Sequence, residues 1–169
     1  MLIRRELPGD EAAIREVVRL AFATPENPDT IESPLVDELR ADVGWIPALS
    51  MVAEIDGEVV GHVVCTRADL GGAPALGLGP LSVRPDRQRQ GVGLALMHAM
   101  LGAADALGEP VVVLLGNPAY YFRYGFRTAA GLGIISPEEQ WGVHFQARPL
   151  TSYRGEKGLF GYAEPFTRL

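Results

Sequence analysis

Residues Leu76 to Leu96 read LGLGPLSVRPDRQRQGVGLAL. The segment parses as an apolar strand, a short charged turn, two closely spaced glycines and the start of a long helix. Gln88, Gly91 and Gly93 fall where backbone amides at a helix entrance can point outward at a ligand. The first turn of a helix has unpaired N–H groups and a positive partial charge, so its natural occupant is an anion. Glycines there let a phosphate approach the backbone without meeting a side chain. The residues thus describe a pyrophosphate cradle, flanked by Arg84, Arg87 and Arg89 as a local basic patch.

Working outward, Leu2 to Glu6 predicts a first strand, and Asp10 a cap for a helix reaching about Phe22. Thr24 to Pro34 reads as a loop. Ser33 is expected to cap a second short helix to Arg40, with Pro34 in its first turn. Two strands, Ser50 to Ile55 and Glu58 to Val64, are joined by Asp56-Gly57, a strong hairpin signal. A third runs from about Ala75 to Val83, and its Gly77, Gly79 and Pro80 predict a bulge. The helix after the cradle is expected over about Gln90 to Leu107, with Val92, Leu96, Met100, Ala103 and Leu107 on its buried face and Gly108 as its stop. Pro110 to Leu115 is apolar throughout and reads as a fully buried strand. Asn117-Pro118 then turns into the aromatic segment Ala119 to Phe126, and later strands are expected near Phe145 to Leu150 and Gly158 to Ala163.

The whole chain sets the limits. Its 169 residues, 47% hydrophobic and 21% charged, suit one domain spanning 1–169 with a substantial core. A net charge of −6 argues against general nucleic-acid binding. Cys65 is the only cysteine, in an apolar run, so a buried structural thiol is expected, with no disulfide and no cysteine-based metal site. The opening MLIRRELPGDEAAI has no signal-peptide core, and no run of about 18 apolar residues predicts a membrane span. A cytoplasmic protein is expected, without a metal cofactor.

Familiar nucleotide motifs do not fit the glycine segment. A P-loop needs Lys followed by Ser or Thr after its second glycine, and here Leu94-Ala95-Leu96 follows. A dinucleotide fingerprint needs a third glycine and a βαβ series, whereas this segment follows a hairpin.

Gln88-Arg89-Gln90-Gly91-Val92-Gly93 resembles the Q/R-x-x-G-x-G/A signature of the GCN5-related N-acetyltransferases, the GNAT superfamily. Leu81-Ser82-Val83-Arg84-Pro85 resembles the strand that precedes that signature. A second motif of the family has its likeness in Asn117 followed by Tyr120 to Phe126 (YYFRYGF). The compact Asn117–Tyr121 interval, with Gly158, Tyr162 and Phe166 farther on, is similar to a bacterial branch of acetyltransferases of unassigned substrate.

The resemblance implies an α/β, single-domain GNAT fold: a mixed, mostly antiparallel sheet of about six or seven strands, helices on both faces and one splayed strand pair. It implies acetyl-coenzyme A (acetyl-CoA) as co-substrate, its pyrophosphate on the amides of Arg89, Gln90, Gly91, Val92, Gly93 and Leu94. Its pantetheine arm would lie along Leu81, Ser82 and Val83, near Asn117 and Tyr121. Arg87 and Arg89 would meet the nucleotide phosphates, and the Val83 N–H the oxyanion. Tyr121 takes the position of the general acid and Glu32 is the preferred carboxylate base, with Asp37, Glu38, His62 or a water relay as alternatives. The implied reaction moves an acetyl group to a primary amine. The competing class is a non-catalytic acyl-CoA binding or sensing module. The acceptor is not named by the sequence, and self-association as a homodimer stays open.

Overall fold

A computed structural model describes residues 1–169. Strand β1 (Leu2–Arg5) pairs antiparallel with β2 (Trp45–Ile55), β2 with β3 (Glu58–Leu70), and β3 with β4 (Ala73–Val83). Two-residue turns close both hairpins. Asp56 and Gly57 have φ of 52° and 80°, and Gly71 and Gly72 have 56° and 89°. Positive φ at both central positions is what a type I′ turn requires, and Asp-Gly and Gly-Gly supply it at low cost.

The sheet continues through β5 (Val111–Leu115), β8 (Phe145–Pro149) and β6 (Arg127–Thr128), giving seven strands on one path. Off that path, β7 (Ile134–Ile135) pairs with β9 (Gly158–Gly161), which also pairs with the end of β3. Only β4–β5 and β7–β9 are parallel.

Helix α3 (Val92–Ala106) makes the crossover from β4 to β5 and packs on one face of the sheet. Val92, Leu96, Met97 and Met100 join Val63, Cys65 and Leu114 there in the largest core cluster. Gly61 is needed under this helix, because a Cβ would lie 2.9 Å from both Leu96 Cδ1 and Val92 Cγ1. Helices α1 (Glu11–Phe22) and α2 (Glu32–Ala41) cover the other face, where Ile14, Val18 and Val36 meet Val52. Strand alternation explains the division, since Met51 and Ala53 face α3 while Val52 faces α1 and α2.

Several expectations are corrected. Asp10 stands at the N-cap of α1 without a side-chain capping bond, because its carboxylate is taken by Arg4 (2.7 Å) and the Leu7 N–H (2.8 Å). Ser33 is not a cap. It lies inside α2, buried, and its hydroxyl donates to the Arg15 carbonyl. Helix α3 buries Val92, Leu96 and Met100 as expected and adds Met97, Leu101 and Ala104, while Leu107, at its C-cap, is exposed. Strands β2 and β3 extend well beyond the predicted ends. The two-residue strands β6 and β7 were too short to carry a periodic signal.

Candidate active site

The site begins with a strand pair that comes apart. Between Val63↔Leu81 and Cys65↔Leu78, β4 has one residue too many, so Gly79 and Pro80 oppose Val64 alone. This is the expected bulge, and it turns the strand away from its neighbour. Parallel pairing between β4 and β5 is correspondingly confined to Leu76↔Val112 and Gly77↔Val113. Beyond that fork the strands separate.

The Arg84 N–H bonds back to the Val60 carbonyl of β3 (2.8 Å), so strand alternation turns the backbone of Leu81 and Val83 the other way, into the opening. The Val83 carbonyl is met there by the Gln88 side chain (3.0 Å). Ser82 is placed differently from its neighbours. Its backbone faces β3, and its hydroxyl is buried without a hydrogen-bond partner.

At one mouth of the opening stands the start of α3. Gln88 holds Val83, and Gln90 donates to the Asp86 carbonyl (3.1 Å), so these two glutamines shape the loop with their side chains. Arg89 and Gly91 take φ of 60° and 86°. The helical ladder opens with the Ala95 N–H on the Gly91 carbonyl (3.0 Å), and the N–H groups of Val92, Gly93 and Leu94 precede it. Nothing lies within 4 Å of where a Cβ of Gly91 would stand. The basic patch is smaller than expected, since Arg84 is engaged by Asp86 (2.6 Å) and Glu58 (3.2 Å). Arg87 is half-buried beside Asp86, and Arg89 is exposed.

The other wall begins at Gly116, where the Gln146 side chain anchors the backbone carbonyl (3.0 Å). Asn117 caps the short helix α4 (Pro118–Tyr121) by accepting from the Ala119 N–H (3.0 Å). This presents Tyr120 and Tyr121 to the opening. The Tyr121 ring lies against Gly116, where a Cβ would come within 2.5 Å of it, and packs edge-on against Tyr120 and Phe126. Burial pushes the Tyr121 phenol up to about 12, so it keeps its proton at neutral pH. Of the two tyrosines that flank Tyr121, Tyr124 is the buried one and Tyr120 is not simply packing. Its hydroxyl instead reaches the cradle, 2.8 Å from where a Gly93 Cβ would stand, and accepts a hydrogen bond from Tyr124 (3.0 Å). The consecutive tyrosines signalled it, but their spacing does not say which one packs.

These walls enclose a cleft of about 820 Å³. It is lined by Leu78 to Leu81 on one side and by Leu114 to Asn117 with both tyrosines on the other. Among the carboxylates considered from the sequence, only Glu32 lines it. Asp37 is paired with Arg15 and Arg40 (both 2.8 Å), and Glu38 with Arg168 (2.8 Å). His62 is fully buried, with Nε2 2.9 Å from the Ser50 hydroxyl, and burial lowers its pKa. Cys65 is buried and its thiol is pushed up by desolvation, as expected of a structural residue. In the sequence, Tyr162 and Phe166 of the far end belong to the branch pattern but carry no site role. With them, Phe22, Glu138 and Trp141 line this end, drawn from three separate stretches of chain. No group of three or more His, Cys, Asp or Glu side chains is arranged to hold a metal ion, and no helix is long and apolar enough to cross a membrane.

A sheet forked between two parallel strands, with a glycine-entered helix at the mouth of the fork, defines an α/β protein of the acetyltransferase type. The family description "Acetyltransferase (GNAT) domain" matches residues 47–128. The chain is 31% identical over 172 residues to the uncharacterized N-acetyltransferase YhbS of Escherichia coli, covering 99% of each. It is 37% identical over 127 residues to a second uncharacterized N-acetyltransferase of that organism, YjhQ, covering 73% of this chain and 67% of the relative. The crystal structure of E. coli YhbS in complex with CoA superposes with a TM-score of 0.89 at 32% identity, covering 99% of this chain and 92% of that one. A GNAT acetyltransferase of Brucella melitensis in complex with acetyl-CoA gives 0.79 at 35% identity, covering 98% and 97%. The chain belongs to the GNAT family of acetyltransferases.

Proposed function

We propose that this protein transfers an acetyl group from acetyl-CoA to a primary amine in the cleft between β4 and β5. The carrying observation is the convergence of two backbone features on one opening: the unpaired amides that begin α3, and the face of β4 that β5 leaves free beyond Gly77. A pyrophosphate suits the first. An extended amide-bearing arm suits the second, because it can pair with Leu81 and Val83 as an added strand does. The two relatives crystallised with CoA and acetyl-CoA support the assignment.

In this reading Gln88 and Gln90 shape the phosphate loop, and Arg89 to Leu94 supply its amides. Asn117 holds the turn that presents Tyr121. The Val83 N–H is the proposed donor to the oxyanion that develops when the amine attacks the thioester carbonyl. Tyr121, kept protonated by burial, gives its proton to the departing thiolate. Glu32 receives the proton that the amine must lose, directly or through water.

Thiol release from acetyl-CoA, measured against a panel of amines for the native chain and Tyr121→Phe, tests the proposal. The substitution is expected to lower kcat by about 10- to 100-fold, with the Kd for acetyl-CoA unchanged. Full activity in the variant overturns the assignment of the acid. Tight acetyl-CoA binding with no thiol release for any amine points instead to a binding module.

A further inference from the structure

The end of the cleft away from the α3 cradle has a chemistry of its own. Trp141, Tyr162 and Phe166 form a connected aromatic wall, with ring centroids 6.2 Å apart for Trp141–Tyr162 and 4.9 Å for Tyr162–Phe166. Tyr162 lies on β4 at Gly77, where a Cβ would come within 2.7 Å of its ring. It therefore sits at the fork itself, beside the last β4–β5 pair. Its phenol is pushed up by burial and stays neutral.

None of the 21 residues lining the cleft is Arg, Lys or His. The charged side chains among them are Glu32 and Glu138. Neither is ion-paired, whereas Glu6, Asp10, Asp37, Glu38 and Glu109 all hold arginines. An extended peptide also finds little strand edge along β9, because β7 pairs with Gly158 and Leu159 and β3 with Phe160 and Gly161.

Resting on the acetyl-transfer reading, we infer that the acceptor is a monoamine: a primary amine on a compact, ring-sized apolar body that carries no anionic group. The amine arrives as an ammonium ion, drawn to Glu32 and Glu138 over aromatic faces that favour a cation. The apolar body packs against Trp141, Tyr162 and Phe166. A carboxylate beside the amine would meet two like charges and no cation among the lining residues, the adjacent Arg168 being held by Glu38 and Glu164, which discriminates against free amino acids. Once the ammonium proton passes to a carboxylate or water, the nitrogen lone pair forms the N–C bond. The C–S bond then breaks with its electron pair on sulfur, Tyr121 protonates the thiolate, and the second proton lost by the nitrogen as the amide forms returns through water to the Tyr121 oxygen.

The test compares 2-phenylethylamine, phenylalanine and a tripeptide beginning with phenylalanine as acceptors for the full chain at saturating acetyl-CoA. The expected kcat/KM for phenylethylamine exceeds that for phenylalanine by about 100-fold and that for the peptide by about tenfold. Glu138→Gln is expected to raise the KM for phenylethylamine several-fold with little change in kcat, and to narrow the margin over phenylalanine. Equal or faster acetylation of phenylalanine or the peptide overturns the inference and leaves acetyl transfer standing. So does an unchanged margin in Glu138→Gln. Acetyl-CoA binding without thiol release for any of the three also overturns the inference, and the transfer reading falls with it only if the wider amine panel gives no release either.

Discussion

The two ends of the cleft are built by different means. The cradle end is made almost wholly of backbone: the first amides of α3, the freed face of β4, Gly91 with open space above it and Gly93 beneath the Tyr120 hydroxyl. The aromatic end is made of side chains from α1, α2, the turn at Pro137–Trp141, Tyr162 just after β9 and the turn at Glu164–Arg168. A backbone site depends on local conformation, so its requirements are written in a few neighbouring residues. A side-chain site depends on which distant segments meet, and its residue types are those of any core. The contrast predicts that changes at the cradle act on the donor alone, and changes at the aromatic end on the acceptor alone.

Gly91→Leu tests the cradle half with the largest expected effect. At φ 86° any L-residue is strained, at a cost of about 1–2 kcal/mol. The space around its Cβ position is open, so the fold should survive, with the new side chain standing where the phosphates are proposed to lie. Calorimetry should show acetyl-CoA affinity falling by about 100-fold or more. Unchanged affinity would remove the cradle assignment.

This difference also explains how much could be read in advance. The hairpin at Asp56-Gly57, the bulge at Gly79-Pro80 and the glycine entrance to α3 were legible, because each answers a local constraint on φ or on close approach. Tyr162 and Trp141 were not. Their neighbours across the cleft lie far away in sequence, and an aromatic residue near a glycine is most often packing. Ser33 and Asp10 misled for a related reason. Both are good helix caps by residue type, but tertiary partners, the Arg15 carbonyl and the Arg4 guanidinium, claim their side chains. Six of the seven strands on the path were recoverable, whereas its two-residue end strand β6, and β7 off the path, were not.

Outside the cleft lining, a buried polar group tests whether stability and chemistry are separate. Glu6 accepts from Arg40 (2.6 Å) and from Ser50, whose hydroxyl also meets His62. Burial alone would raise the Glu6 carboxyl, but contact with His62 and the bonds from Arg40 and Ser50 outweigh it and hold the carboxyl at about 2. A folded-state value below the unfolded one adds stability that is fully present above the unfolded value of 4.5 and is lost as pH falls toward 2. His62, lowered by burial, acts in the same direction, because below its unfolded value of 6.5 the unfolded chain takes up a proton that the folded chain resists. Glu6→Gln should therefore cost about 2–3 kcal/mol at pH 7 and flatten the stability curve between pH 5 and 2. Denaturant unfolding across that range checks both. A variant as stable as the native chain at pH 7 would mean that the group contributes nothing net.

The smallest expected effect is the sharpest probe of the division. Gly77 lies at the fork, belonging to the donor strand by sequence and to the acceptor end by contact. In Gly77→Ala the added methyl meets the Tyr162 ring at 2.7 Å, too close for either group to stay in place. Tyr162 is the one with room to move, because it borders the cleft while β4 is held by β3 on one side and β5 on the other. The ring should shift toward the acceptor space and narrow it. The KM for the amine should rise about three- to tenfold, with the Kd for acetyl-CoA unchanged, because Leu81, Val83 and the α3 amides lie beyond the fork. If acetyl-CoA affinity falls as much as amine affinity, the strain has travelled along β4, and the two ends are one mechanical unit. If only the amine is affected, they are independent sites that share an opening.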